Sequence, residues 1–134
     1  MAHSTNYTNT LIQPSPDCKA MEATIPTKAG SIAQRQYDLI REAPYGLTSD
    51  AILVTVQADR SDIPAEKRAA FREVFFSKGQ PCLRCSPLVK THGWAIHHDS
   101  DARVNLIDPQ SADFAALMAD PTVTKVDGMR NKRK

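Results

Sequence analysis

Two cysteines three residues apart, Cys82-Leu83-Arg84-Cys85, stand just ahead of His92 and His97. The spacing C-x2-C-x6-H-x4-H collects four possible zinc ligands, and thiolates and imidazoles are what a tetrahedral zinc site uses. The gap between the second cysteine and the first histidine is short for the usual finger spacings. Pro81 and Pro87 also hold the segment extended, which turns the two sulfurs away from a common centre. A thioredoxin-type redox pair needs a cysteine at the start of a helix, where its thiol pKa falls, and the extended context predicts no such helix. A nucleophile would require Cys82 or Cys85 to meet His92 or His97 across a hairpin, with no third residue evident to orient the base. Both thiols therefore read first as small, buried or half-buried packing groups. No metal or cofactor is expected.

The stretch from Phe75 to His98 has a second chemistry. Lys78, Arg84, Lys90, His92, Trp94 and His97 interleave cations with an aromatic, the mixture that holds phosphates and stacks bases. Alternation places the only tryptophan in the core rather than on a stacking platform. The candidate binding residues are Ser49, Lys78, Arg84, Ser86, Lys90, His92 and His97, on a surface made by the loop at 45–50 and the segment 77–98. Their groups suit an anionic partner, a small molecule or a nucleic acid. No GxGxxG, Walker, HExxH or GxSxG pattern is present. Asp50 is separated from Asp59 and Asp62 by an apolar run, so no hydrolytic carboxylate pair is supported.

These residues must be positioned by the elements around them. Ser31 followed by Gln34 has capping-box spacing, and Ile32, Leu39, Ile40 and Ala43 recur at helical intervals until Pro44. This predicts a helix over 31–43. The β-branched run Ala51–Ala58 predicts a central strand, apolar on both faces. Pro64 opens a second helix over 64–77, with Ala70, Phe71, Val74 and Phe75 as its stripe and Gly79 as its stop. Residues 82–86 are expected to be extended. Residues 92–98 and 103–108 alternate as the two strands of a hairpin, with Trp94, Ile96, His92 and His98 on one face and Ala95 and His97 on the other. A third helix follows over 111–119, and Val123 and Val126 could add a strand. Residues 1–30 are expected as an irregular arm in which Leu11 and Ile12 could make a short strand. Residues 128–134, with Arg130, Lys132, Arg133 and Lys134, are expected as a frayed basic tail.

The 134 residues fit a single domain that can bury enough surface to fold without a metal or disulfide. No apolar run approaches a membrane span, and no secretory leader is expected. With three cysteines, an odd number, a reducing cytoplasm is the expected location. The net charge of +2 is too small to demand a nucleic-acid partner. It is uneven, at −1 over residues 1–77 and +3 over residues 78–134.

Several strings carry a resemblance: Thr5-Asn6-Tyr7-Thr8-Asn9-Thr10, Tyr45-Gly46-Leu47-Thr48-Ser49-Asp50, Phe75 through Arg84, and Ser86 through His97. Across residues 5–133 the chain resembles a family of small, mostly bacterial, stand-alone proteins catalogued only as a domain of unknown function. The resemblance implies one domain and carries over no activity, substrate or catalytic residue. Cys85 stands where a small residue such as alanine is expected, which makes the CxxC incidental and weakens the metal and redox readings. Ala95 stands where a glycine is expected.

Together these patterns predict an α+β domain with a mainly antiparallel sheet from 51–58, 82–86, 92–98 and 103–108. Three helices would pack largely on one face, over a core of Ile40, Leu53, Phe71, Phe75, Trp94, Ile96 and Leu106. The expected function is a cytoplasmic binding or interaction module with its polar, cationic surface around 77–98. The alternatives are an enzyme of unknown reaction using Cys82, His92, His97 and Lys90, and a homo-oligomer joined through the apolar hairpin face.

Overall fold

The computed structural model describes residues 3–131. Its strands are β1 (Thr10–Gln13), β2 (Ala95–His98), β3 (Val104–Ile107) and β4 (Thr124–Asp127), in the spatial order β3-β2-β1-β4. β2 and β3 form the expected hairpin, with Ile96 opposite Leu106. It opens at Ala95 rather than His92, because Gly93 takes a left-handed φ of +77° and the Trp94 N–H turns to the Leu88 carbonyl. β1 runs antiparallel to β2 and parallel to β4, so the sheet is mixed.

The inner strand β1 comes from the segment expected to be an irregular arm. Leu11 and Ile12 are fully buried, one on each face of the sheet. With only two strongly apolar residues between polar neighbours, this strand is too short to declare itself by alternation. The rest of the arm wraps the domain: Ser15 N–H donates to the Val89 carbonyl, and Thr24 N–H to the His92 carbonyl. At the other end Gly128 N–H donates to Gln13, and Asn131 bonds to Asp17 and to the Lys90 carbonyl. Lys132, Arg133 and Lys134 of the expected frayed tail lie outside the described residues.

The helices are α1 (Ile32–Glu42), α2 (Ser49–Arg60), α3 (Arg68–Phe75), the single turn α4 (Pro87–Lys90) and α5 (Ala112–Ala119). α1, α3 and α5 lie within the three expected helices. Ser31 caps α1 by accepting the Gln34 N–H at 3.2 Å, and Ser111 caps α5 through the Phe114 N–H.

Two expected strands are corrected. Residues 51–58 belong to α2, not to a strand. Ile52, Val54, Val56 and Ala58 are all buried, a period of two that imitates a strand. Residues two apart on a helix are rotated by about 200°, so such a pattern also arises on a helix covered from two opposite sides. Ile52 and Val56 face the main core, whereas Val54 and Ala58 face Arg68, Ala69 and Arg72 of α3. Residues 82–86 are likewise no strand. Leu83–Cys85 form a 3-10 turn in which Cys85 N–H donates to the Cys82 carbonyl at 2.9 Å. Ser86 then caps α4, and Pro87 occupies its first position, where a missing N–H costs nothing.

The two faces of the sheet bury separate cores. Ile12, Ile96, Val104 and Leu106 meet Ile40, Ile52, Val56, Leu83, Leu88, Val89 and Trp94 on one face. Leu11, Ala95, Ile107 and Val123 meet Phe114 and Leu117 of α5 on the other. Of the expected core, Ile40, Trp94, Ile96 and Leu106 are buried, while Leu53, Phe71 and Phe75 are half-buried. The fully buried ring at the end of α3 is Phe76, one residue beyond the expected stripe. Trp94 stacks obliquely on Tyr37 at 5.7 Å and donates its indole N–H to the Thr24 carbonyl at 2.8 Å.

Candidate functional site

A groove of about 240 Å³ lies between α1, α2 and residues 75–87. Ile32, Leu53, Val56, Phe75, Pro81 and Pro87 supply apolar walls. Ser86 and Gln36 supply a polar floor, since the buried Ser86 hydroxyl donates to Gln36 Oε1 at 2.6 Å while it caps Leu88. Gln36 is only 3% exposed, and its Oε1 is the acceptor of that bond. Gln36 belongs to the lining of the groove. Both cysteines of the CxxC line it too, Cys85 exposed and Cys82 half-buried. Cys82 Sγ is 3.2 Å from the Tyr7 hydroxyl. Burial, and then the Cys82 contact, push the Tyr7 pKa up, while the Arg84 charge opposes the shift.

The candidate binding residues divide among six places. Lys78 lies in an adjoining hollow of about 400 Å³ that shares Gln57, Phe75 and Gln80 with the groove. Ser86 belongs to the groove floor. Arg84 is anchored to the end of β4, with Nε donating to the Asp127 carbonyl at 2.7 Å. Ser49 is fully buried, and its hydroxyl lies 2.8 Å from that of Thr5. Lys90 and His92 lie beside the arm, Lys90 with Lys19 and Asp17, and His92 with its Nδ1 at 3.1 Å from the Thr24 hydroxyl. His97 projects on the α5 side of the sheet, with Nδ1 at 2.9 Å from the Tyr45 hydroxyl. Burial lowers the pKa of both His92 and His97, and Asp99 and Asp120 oppose the shift at His97.

Cys82 and His97 thus belong to opposite sides of the sheet, and the C-x2-C-x6-H-x4-H ligands do not converge. Among the described residues no group of three or more His, Cys, Asp or Glu could hold a metal ion. No helix among them is long and apolar enough to cross a membrane.

Three chemically important groups were not singled out by the residue patterns. Gln36 reads as one more polar residue of α1, because its burial depends on Ser86, fifty positions away. Asp50 is buried and accepts from Ser4 Oγ at 2.9 Å, Thr5 N–H at 2.7 Å and Thr5 Oγ1 at 2.7 Å. His98 is fully buried, neither ring nitrogen makes a well-formed hydrogen bond, and the Tyr7 ring meets it edge-on at 5.4 Å. Burial lowers the His98 pKa to about 4, helped by the neighbouring His97 and opposed by the Thr10 backbone and by Asp99. Its place on the inward face with Ile96 is what alternation along β2 anticipates.

A family model matches residues 2–134, and the chain belongs to this family of unknown function (DUF6157). No curated protein and no solved structure matches it.

Proposed function

We propose that the protein is a small-molecule binding module whose ligand lies in the groove between α1, α2 and residues 75–87. The ligand has a compact apolar body and an acidic end, the body against Leu53, Val56 and Phe75 and the acid toward Lys78. One observation carries this reading: the buried, hydrogen-bonded pair Ser86–Gln36 sets a fixed polar floor in a mainly apolar hollow. Convergent apolar walls with a few fixed polar groups are the usual form of a ligand site. The cations also favour a small anion over a nucleic acid. Arg84 is committed to Asp127 and Lys90 lies with the arm, so with Lys78 they make no continuous basic track.

Native mass spectrometry of protein taken directly from cells tests this reading. The expected result is a small noncovalent adduct that disappears in Ile32→Trp, where an exposed wall residue is enlarged to cover the groove. An adduct that survives this change, or no adduct at any loading, contradicts it. Lys78→Glu is expected to weaken binding of an acidic ligand by roughly twofold to fivefold, the share of an exposed ion pair.

A further inference from the structure

We propose that Cys82 and Cys85 form a reversible dithiol–disulfide couple whose oxidant is a low-molecular-weight disulfide. This inference does not depend on the groove holding a ligand. It rests on the turn. Cys85 N–H donates to the Cys82 carbonyl, so the two residues are the first and last of a hydrogen-bonded four-residue turn. Such a turn keeps its end Cα atoms within about 7 Å, and a disulfide spans about 4.4–6.8 Å. The segment expected to be extended is thus a turn that holds the two Cα atoms within bridging range.

A second observation is independent of the backbone. Both side chains line the same groove, neither is in a disulfide, and they differ in exposure. The exposed Cys85 is open to a small disulfide. The half-buried Cys82 is held behind it by the Tyr7 hydroxyl. Cys18, the remaining cysteine, is in the N-terminal arm, where its N–H closes a turn onto the Ser15 carbonyl.

The exchange balances as follows. The Cys85 thiol loses its proton to solvent, and its sulfur attacks one sulfur of the small disulfide RSSR. A mixed disulfide Cys85–S–S–R forms and one RS⁻ leaves, taking up a proton as RSH. Cys82 then loses its proton and attacks the Cys85 sulfur, which closes the Cys82–Cys85 bond and expels the second RS⁻ as RSH. Two protein thiols are oxidised and one RSSR is reduced to two thiols.

The test uses the full chain in glutathione redox buffers, with acid quenching, iodoacetamide alkylation and peptide mapping. With oxidised glutathione in excess, the alkylated thiols are expected to fall from three to one, with no glutathione retained and Cys82 joined to Cys85. In Cys82→Ser, glutathione is expected to remain on Cys85. The wild-type measurement stands whether or not that variant folds. Closure is also expected at least tenfold more favourable in the folded chain than in the same chain unfolded by urea. Persistent glutathione adducts on wild-type Cys85, a bond involving Cys18, three unreacted thiols, or closure no better than in the unfolded chain would each overturn the proposal.

Discussion

Asp50 and His98 are buried polar side chains in opposite circumstances. The Asp50 carboxylate is held by the Ser4 and Thr5 hydroxyls and the Thr5 amide, and it sits in the first turn of α2, where the helix dipole favours a negative charge. Asp50→Ala leaves the buried Thr5 donors unpaired. It is expected to lower stability by about 3 kcal/mol, read from the midpoint of urea unfolding at unchanged slope. His98 has no such partners, and burial disfavours its charged form. Its folded pKa of about 4 lies below the ordinary 6.5, so the unfolded chain takes up the proton first. The stabilisation is whole above about pH 6.5 and is lost as the pH falls through about 4. It amounts to about 3 kcal/mol, and the smaller downward shifts of His92 and His97 act in the same direction. Urea unfolding across this range is expected to show falling stability, and His98→Phe is expected to remove most of the slope. An equal slope in the variant would place the titrating group elsewhere.

At the scale of elements, the local signals were legible and the long-range ones were not. Ser31 with Gln34, Ser111 and Pro44 mark real helix ends, because a cap is decided by residues three or four positions apart, whereas Pro64 precedes a 3-10 turn at Ala65–Lys67 and α3 starts only at Arg68. Thr48-Ser49-Asp50 is a cap signal as well, and Thr48 does accept the Ala51 N–H at 3.1 Å. It was outweighed by the β-branched run behind it, whose two-sided burial depends on α3 packing on the far side of α2. The CxxC turn and α4 were hidden for a different reason. Two prolines suggest extension, yet Ser86-Pro87 is also a cap followed by a favoured first helical residue. Of the site, the sequence marked the segment 77–98 and Lys78, whereas Gln36 and the common side of Cys82 and Cys85 emerge only when α1 packs on the turn. Gly93 shows how tightly that packing is set. A Cβ there would sit 2.7 Å from the Glu22 carbonyl oxygen, at a φ that side chains resist. Gly93→Ala is expected to cost about 2 kcal/mol or more in thermal or urea unfolding. A neutral result would mean that the arm does not lie against the hairpin entry.

For the whole molecule, the sheet divides the chemistry. On one side the core carries α1, α2 and the CxxC turn, and the groove opens between them. On the other, α5 covers a smaller core beside the Tyr45–His97 pair. Tyr45 takes a φ of +55°, uncommon for a tyrosine, and its N–H is tied to the Val104 carbonyl. The proposed function lies on the groove side because that is where a fixed polar pair, Ser86 and Gln36, lines a mainly apolar hollow. The most direct measurement is an amide NMR titration of the full chain with a medium-chain fatty carboxylate as probe. The account predicts saturable shifts confined to Ile32, Gln36, Leu53, Val56, Phe75, Lys78 and Cys85. Shifts centred on Tyr45 and His97 or on Lys19 and Lys90, or no saturable shift at all, would contradict it.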